Sequence, residues 1–173
     1  MKAATKYLFI LLALGLAACG RPQPGATTVI VVRHAEKASD AADSPLAEAG
    51  SQRAQALVRA AEGAGVSAVY SSQFRRNLDT ARPLSERLGV AVTEAPVNLE
   101  SPGDYGQRLA RDILDGHAGQ TVLVVGHANT VGSTVEALTG RPAQIEGVEY
   151  HDLFVVVVPA GGPARVIKGQ DGL

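Results

Sequence analysis

Two histidines stand at the ends of two similar apolar runs, and their neighbours define the chemistry open to them. The first run, Val29 to Val32, stops at Arg33 and His34; the second, Thr121 to Val125, stops at Gly126 and His127. A guanidinium offers a planar fork of N–H donors that can grip two oxygens of an oxyanion at once. A neutral imidazole beside it can attack an electrophilic centre through a ring nitrogen. Gly126 removes a side chain just before His127 and lets backbone come close, and a helix starting there would aim its N-terminal amides at the same anion. Phosphoryl transfer needs such a set: positive charge around the equatorial oxygens, an in-line nucleophile, and an acid for the leaving oxygen.

The elements that must position these groups follow from hydrophobic spacing. Val29 to Val32 and Thr121 to Val125 read as the first and fourth strands. Between them, Leu46, Gly50, Ala54, Leu57, Val58 and Ala61 recur at helical spacing, which predicts a helix over about 47–62 ending at Gly63 and Gly65. Val66 to Ser71 is the second strand. A helical stretch then runs from Ser72 to Leu88, stopped by Gly89, and Pro83 should kink or restart it. Val90 to Thr93 is the third strand, and Glu94 to Gly103 an irregular loop. Tyr105, Leu109 and Ile113 mark an amphipathic helix closed near Gly116. After the fourth strand, Asn129 or Thr130 is placed to cap a helix reaching Leu138, with Gly140 behind it. Leu153 to Val158 and Arg165 to Lys168, split by Gly161-Gly162-Pro163, form a closing hairpin.

Alternating strands and helices imply an α/β fold, a three-layer sandwich with a mainly parallel central sheet and helices on both faces. With 46% hydrophobic residues, 4% aromatics and no Trp, the core must be built from Val, Leu and Ala. In such sheets ligands bind beyond the carboxyl ends of the strands. Arg33 with His34, Ser71 with Ser72, and Gly126 with His127 all fall at such ends, so distant parts of the chain should converge on one pocket.

The N-terminus calls for a separate reading. Lys2 and Lys6 precede an uncharged apolar stretch of twelve residues, Tyr7 to Ala18, too short for a comfortable membrane span and suited to a signal peptide over 1–18. Leu16-Ala17-Ala18-Cys19 resembles a bacterial lipobox, and Cys19 is the single cysteine, with no intramolecular partner. Residues 19–27, rich in Gly and Pro, then form a tether to one globular domain over 28–173. Acylation at Cys19 would anchor the chain to a bacterial envelope membrane, facing away from the cytoplasm and toward the periplasm if Gram-negative. Of 16 basic residues, Lys2 and Lys6 leave with the signal, so 14 face 17 acidic ones at a formal charge of −3. No basic block stands out, and nucleic-acid binding has no electrostatic support.

Three motifs in order carry a resemblance to a known family. Arg33-His34-Ala35-Glu36-Lys37 resembles the Arg-His-Gly signature of the histidine phosphatase superfamily, the phosphoglycerate mutase-like proteins. The stretch from Tyr70 through Arg75-Arg76 to Thr80-Ala81 is similar to its Ser-Asp-Leu-x-Arg-Ala-x-x-Thr-Ala motif, and Val125-Gly126-His127 to its late Gly-His motif. The resemblance spans about 29–158 and implies a phosphomonoester hydrolase with His34 as the phosphorylated nucleophile. It also implies that Arg33, Arg76 and His127 hold the phosphate, with no cofactor and no metal. Arg76 is the arginine in register, which leaves Arg75 as a solvated helix residue. As in the first branch of the family, Glu100 in the loop after the third strand would be the proton donor, with Asp104 as its rival. The second branch places an Asp after the late histidine, where this chain has Ala128. Ala35 replaces the usual Gly, and Lys37 the common Ser or Thr. Lys37 would either charge the pocket rim or pair with Glu36 or Asp40.

The remaining histidines suggest little. His117 follows a helix end, where an imidazole sits near the last carbonyls, and His151 precedes the last long strand. No tight cluster of metal ligands is present in the sequence. Hydrolysis is expected over mutase chemistry because Glu94 to Gln120 leaves little chain for a water-excluding lid. The alternative from another class is a non-catalytic envelope lipoprotein that binds a phosphorylated ligand in the same pocket. A third possibility, removal of phosphate from protein histidines, fits poorly with export away from cytoplasmic phosphorelays.

Overall fold

The computed structural model describes residues 25–142 and 148–170. The expected signal segment and Cys19 lie outside the described residues, as does the tether up to Pro24. The first strand begins at Thr27, two residues before the expected Val29.

Six strands, β1 (Thr27–Arg33), β2 (Val66–Ser71), β3 (Val92–Glu94), β4 (Thr121–Gly126), β5 (Asp152–Val158) and β6 (Arg165–Gln170), form one sheet in the order β3-β2-β4-β1-β5-β6. β3, β2, β4 and β1 pair in parallel, while β5 and β6 join as an antiparallel hairpin on the β1 side. Among the described residues four α-helices cover it: α1 (Glu48–Ala61), α2 (Arg75–Leu88), α3 (Tyr105–Gly116) and α4 (Ala128–Thr139). The architecture is thus the expected α/β sandwich, with a mixed sheet.

Alternation along the central strands sorts side chains to the two faces. Ile30, Val32, Leu123 and Val125 point to one side and pack with Leu57 of α1 and Leu84 of α2. Val29, Val31, Val122 and Val124 point to the other, against Leu109 and Ile113 of α3 and Val131 and Val135 of α4. Two glycines permit close approach. A Cβ on Gly50 would collide with the Glu36 carbonyl, and one on Gly106 would lie 2.6 Å from the Ser133 carbonyl carbon, so α1 and α3 reach their neighbours only without a side chain there.

Several boundaries differ from expectation for local reasons. β1 extends to Arg33, which faces Gly126 in register and so belongs to the ladder. β3 begins at Val92, because Val90 closes α2 by donating its N–H to the Ser85 carbonyl behind a left-handed Gly89. α2 starts at Arg75, whose N–H is taken by Asp43 Oδ1 at 2.7 Å. It runs on through Pro83 as a single helix, with Ala81 and Leu84 fully buried against the sheet to either side of the proline. α4 is capped by His127, and neither Asn129 nor Thr130 fills that role, because Thr130 lies inside the first turn and its Oγ1 accepts the His127 N–H at 2.8 Å.

Candidate functional site: an arginine and histidine pocket at the strand ends

Because β1 and β4 are parallel neighbours with Arg33 opposite Gly126, the residues that follow them emerge side by side. The His34 N–H donates to the Gly126 carbonyl at 2.9 Å, and the two imidazoles lie 5.3 Å apart, ring centre to ring centre, in an edge-on arrangement. β2 flanks β4 on its other side and delivers Ser72, whose hydroxyl meets His127 Nε2 at 2.9 Å. α2 supplies Arg76. Its Nε donates to His34 Nε2 at 3.2 Å, its Nη2 lies 3.5 Å from His127 Nδ1, and its Nη1 is fixed on the Ala42 carbonyl at 2.7 Å. Arg33, His34, Arg76 and His127 therefore converge, and the three last are buried.

The tautomer of His34 follows from its partners. Nδ1 is 2.8 Å from the Ala35 carbonyl, which only accepts, so Nδ1 carries the proton and Nε2 presents its lone pair to the pocket. Burial is the main cause that lowers its pKa from 6.5 to about 4, with the charges of Arg76 and Arg33 acting the same way. His127 is driven down to about 3, first by burial and then by the charges of His34, Arg76 and Arg33. Both rings are neutral near pH 7, as a nitrogen nucleophile must be.

These depressed values make the fold acid-sensitive. In the unfolded chain each histidine titrates near 6.5. Their contribution to stability is therefore complete above that pH and is lost as pH falls toward 4 and then 3. Full protonation of His34 alone would remove about 3 kcal/mol. The melting temperature should drop between pH 7 and pH 4, and less so in the variant His34→Asn/His127→Asn. A wild-type midpoint that does not move over this range would contradict neutral burial of the pair.

Neighbouring side chains hold this frame. Thr80 Oγ1 accepts the Ala35 N–H at 2.9 Å and donates to the Arg76 carbonyl at 2.7 Å, tying the residue after the first histidine to α2. Asn77 Nδ2 donates to the carbonyls of Val125 at 3.2 Å and Gly126 at 2.9 Å, tying α2 to the end of β4. Glu36 does not face the pocket as an acid. Arg53 grips it through Nε at 3.0 Å to both carboxylate oxygens and through Nη2 at 2.7 Å. Although burial acts to raise its pKa, these bonds outweigh it and keep the carboxyl below its usual value.

Tyr150 is the residue that sequence reasoning missed, having weighed its neighbour His151 instead. The Arg33 guanidinium stacks 3.9 Å over the Tyr150 ring, and that ring lies 5.8 Å from His34. Arg33 Nη1 donates to the Val148 carbonyl at 2.9 Å, while its buried Nε has no partner among the described residues. A buried N–H donor without a partner is a group that an oxyanion can satisfy. The tight turn before β5 sets Tyr150 in place, with Asp152 Oδ2 accepting the Glu149 N–H at 3.0 Å and pairing with Lys168 at 3.0 Å. The available signal was the short Tyr150-His151-Asp152 run at a strand start. Phe74 stacks in the same way, 4.7 Å from the Arg76 guanidinium carbon and edge-on to His127.

The other expected residues are placed as follows. Glu100 lines a cleft of about 500 Å³ that Arg76 and Phe74 also line. Asp104 does not line it. Asp104 is exposed and paired with Arg108 at 2.9 Å, and that hydrogen bond holds its carboxyl below the usual range. Arg75 is largely exposed and pairs with Asp79 at 3.6 Å. Lys37 pairs with Asp40 at 2.8 Å, the second of the two fates anticipated for it, although it also lies on the cleft rim. His117 caps α3 through its backbone, but its ring meets the Tyr70 hydroxyl and Gln120. No group of three or more His, Cys, Asp or Glu side chains suited to a metal ion occurs among the described residues.

Residues 29–100 match the histidine phosphatase superfamily, branch 1. The histidine phosphatase match takes in Arg33, His34, Arg76 and Glu100, whereas His127 is brought to them by the fold. Solved structures share that fold. The protein histidine phosphatase SixA, determined with tungstate, superposes with a TM-score of 0.66 at 21% identity, over 83% of this chain and 97% of its own. YhfR from Bacillus stearothermophilus gives 0.67 at 21% identity, over 82% and 95% of the two chains. A mycobacterial glucosyl-3-phosphoglycerate phosphatase gives 0.65 at 17% identity, over 82% and 97%. No curated protein matches the chain in sequence.

Proposed function

We propose that this chain is a branch 1 histidine phosphatase, a phosphomonoester hydrolase that works through a phosphohistidine on His34. The observation that carries the reading is the neutral imidazole of His34, its Nε2 lone pair held 3.2 Å from Arg76 Nε. A phosphate held between Arg33, Arg76 and His127 would have its phosphorus within reach of that nitrogen. In the first half-reaction the Nε2–P bond forms as the P–O bond to the alcohol breaks, and Glu100, protonated, gives the leaving oxygen its proton. In the second, water attacks the phosphohistidine, the Glu100 carboxylate takes its proton, and inorganic phosphate leaves from a regenerated imidazole. The match to the superfamily supports this reading, as does the oxyanion tungstate bound by a protein of the same fold.

The test is turnover of an aryl phosphate by the purified protein in the presence of a chelator. Absence of turnover together with tight phosphate binding would favour the non-catalytic lipoprotein instead. Assignment of the acid has its own expected outcome. Glu100→Gln should lower kcat on an alkyl phosphate about 100-fold and affect an aryl phosphate far less, since a phenolate leaves with little help. Asp104→Asn should match the wild type, because its carboxylate is committed to Arg108 outside the cleft. Loss of alkyl activity in Asp104→Asn alone would reverse the assignment.

We also propose that the protein is anchored by acylation of Cys19 and works outside the cytoplasm, a reading that rests on the sequence of residues 1–19. Cys19→Ser should move the protein from the membrane fraction of a bacterial host to the soluble exported fraction. Equal membrane retention of the two forms would exclude lipidation as the anchor.

A further inference from the structure

The cleft beside Arg76 offers a place for an esterified alcohol. Arg76, whose Nε touches the nucleophile, is also part of the cleft wall, so a phosphate gripped there would project its leaving group into this space. The cleft runs between the loop after β1 and the loop after β3 and holds about 500 Å³, room for a ring-sized group.

The walls carry polar residues, and several of their groups are already bonded within the protein. Gln73 gives its Nε2–H to the Val97 carbonyl at 2.8 Å and takes the Val97 N–H at 2.9 Å on Oε1. Asn98 Oδ1 accepts the Glu100 N–H at 3.0 Å. The Lys37 ammonium is paired with Asp40, whose side chain is fully exposed at the rim. The lining also includes the apolar residues Phe74, Val97, Leu99, Ala41 and Ala42, together with Glu100.

We propose that this cleft is a leaving-group subsite for apolar or aromatic alcohols, so that the substrates are their phosphomonoesters. This rests on the phosphatase reading above. A polyhydroxylated group would surrender its water hydrogen bonds here and regain few of them. An anionic one would find the Lys37 ammonium already paired with Asp40 and Arg76 occupied by the phosphate. An apolar ring loses nothing comparable and covers Phe74 and Leu99.

Cyclohexylmethyl phosphate and glucose 6-phosphate separate these cases, since both are primary esters on a six-membered ring and differ chiefly in hydroxyl groups. The cyclohexylmethyl ester should show a kcat/KM at least about 30-fold higher on the wild-type protein. It should also bind more tightly to His34→Ala in calorimetry. Leu99→Ser should shrink the ratio at least about fivefold through KM. Equal or better use of glucose 6-phosphate, or equal or tighter binding of it, overturns the subsite while leaving the phosphatase reading intact. Preferential binding of the cyclohexylmethyl ester without any turnover by the wild type keeps the subsite and overturns the phosphatase reading. Binding of neither overturns both.

Discussion

Replacing His34 by Ala should abolish turnover, lowering kcat by at least about 10⁴-fold, and should leave oxyanion binding largely in place. On the phosphatase reading the imidazole contributes the bonding nitrogen, and among the described residues His127 is the other imidazole at the site. His127, the nearest ring, has Nε2 committed to the Ser72 hydroxyl at 2.9 Å and Nδ1 turned toward Arg76. The anion-gripping groups would survive the change. Arg33 stays stacked on Tyr150 and bonded to Val148, and Arg76 stays fixed on the Ala42 carbonyl. Tungstate should therefore still bind His34→Ala in calorimetry, within about tenfold of the wild type. Rapid quenching into alkaline detergent should trap an acid-labile phosphoenzyme in the wild type and none in the variant. Equal rates for the two proteins, or a phosphoenzyme that persists without His34, would remove this residue from the nucleophile's role.

Much of this site was legible in the sequence because it rests on a topological rule. An apolar run of four or five residues that ends in Arg-His or Gly-His, within a βα alternation, puts those residues at one rim of a parallel sheet. Arg33 and Gly126 meet in register for that reason. Choosing Arg76 over Arg75 was likewise a matter of spacing, and the structure buries Arg76 while Arg75 lies largely in solvent. What the chain did not disclose depends on contacts between segments with no local signature. Glu36 is claimed by Arg53 of α1, and Asp43 caps α2 from a loop 32 positions earlier. Tyr150 reaches the pocket because β5 lies antiparallel beside β1 and because the turn that Asp152 organises points the ring inward. The strand ends erred for a related reason, since the residue types around Val90 suit a strand while its N–H is needed to close a helix.

Arg76→Ala should be the second most damaging change, with kcat/KM reduced about 10³-fold, and Arg76→Lys should recover only a small part. The arginine's three side-chain nitrogens do different work: Nη1 anchors it to the Ala42 carbonyl, Nε meets His34 Nε2, and Nη2 faces His127. An ammonium carries the charge but no planar fork, so it cannot hold one fixed bond while presenting two others. The loss should appear in kcat as well as KM, because the charge on the phosphoryl oxygens is largest in the transition state. A second consequence separates this from simple unfolding. The Arg76 charge is one of the causes that lower the His34 pKa, so its removal should move the acid limb of kcat/KM upward from near 4. Arg76→Lys, which keeps the charge, should move it less. A pH profile that stays in place in Arg76→Ala, with activity merely scaled down, would mean that the guanidinium does not face the nucleophile during turnover.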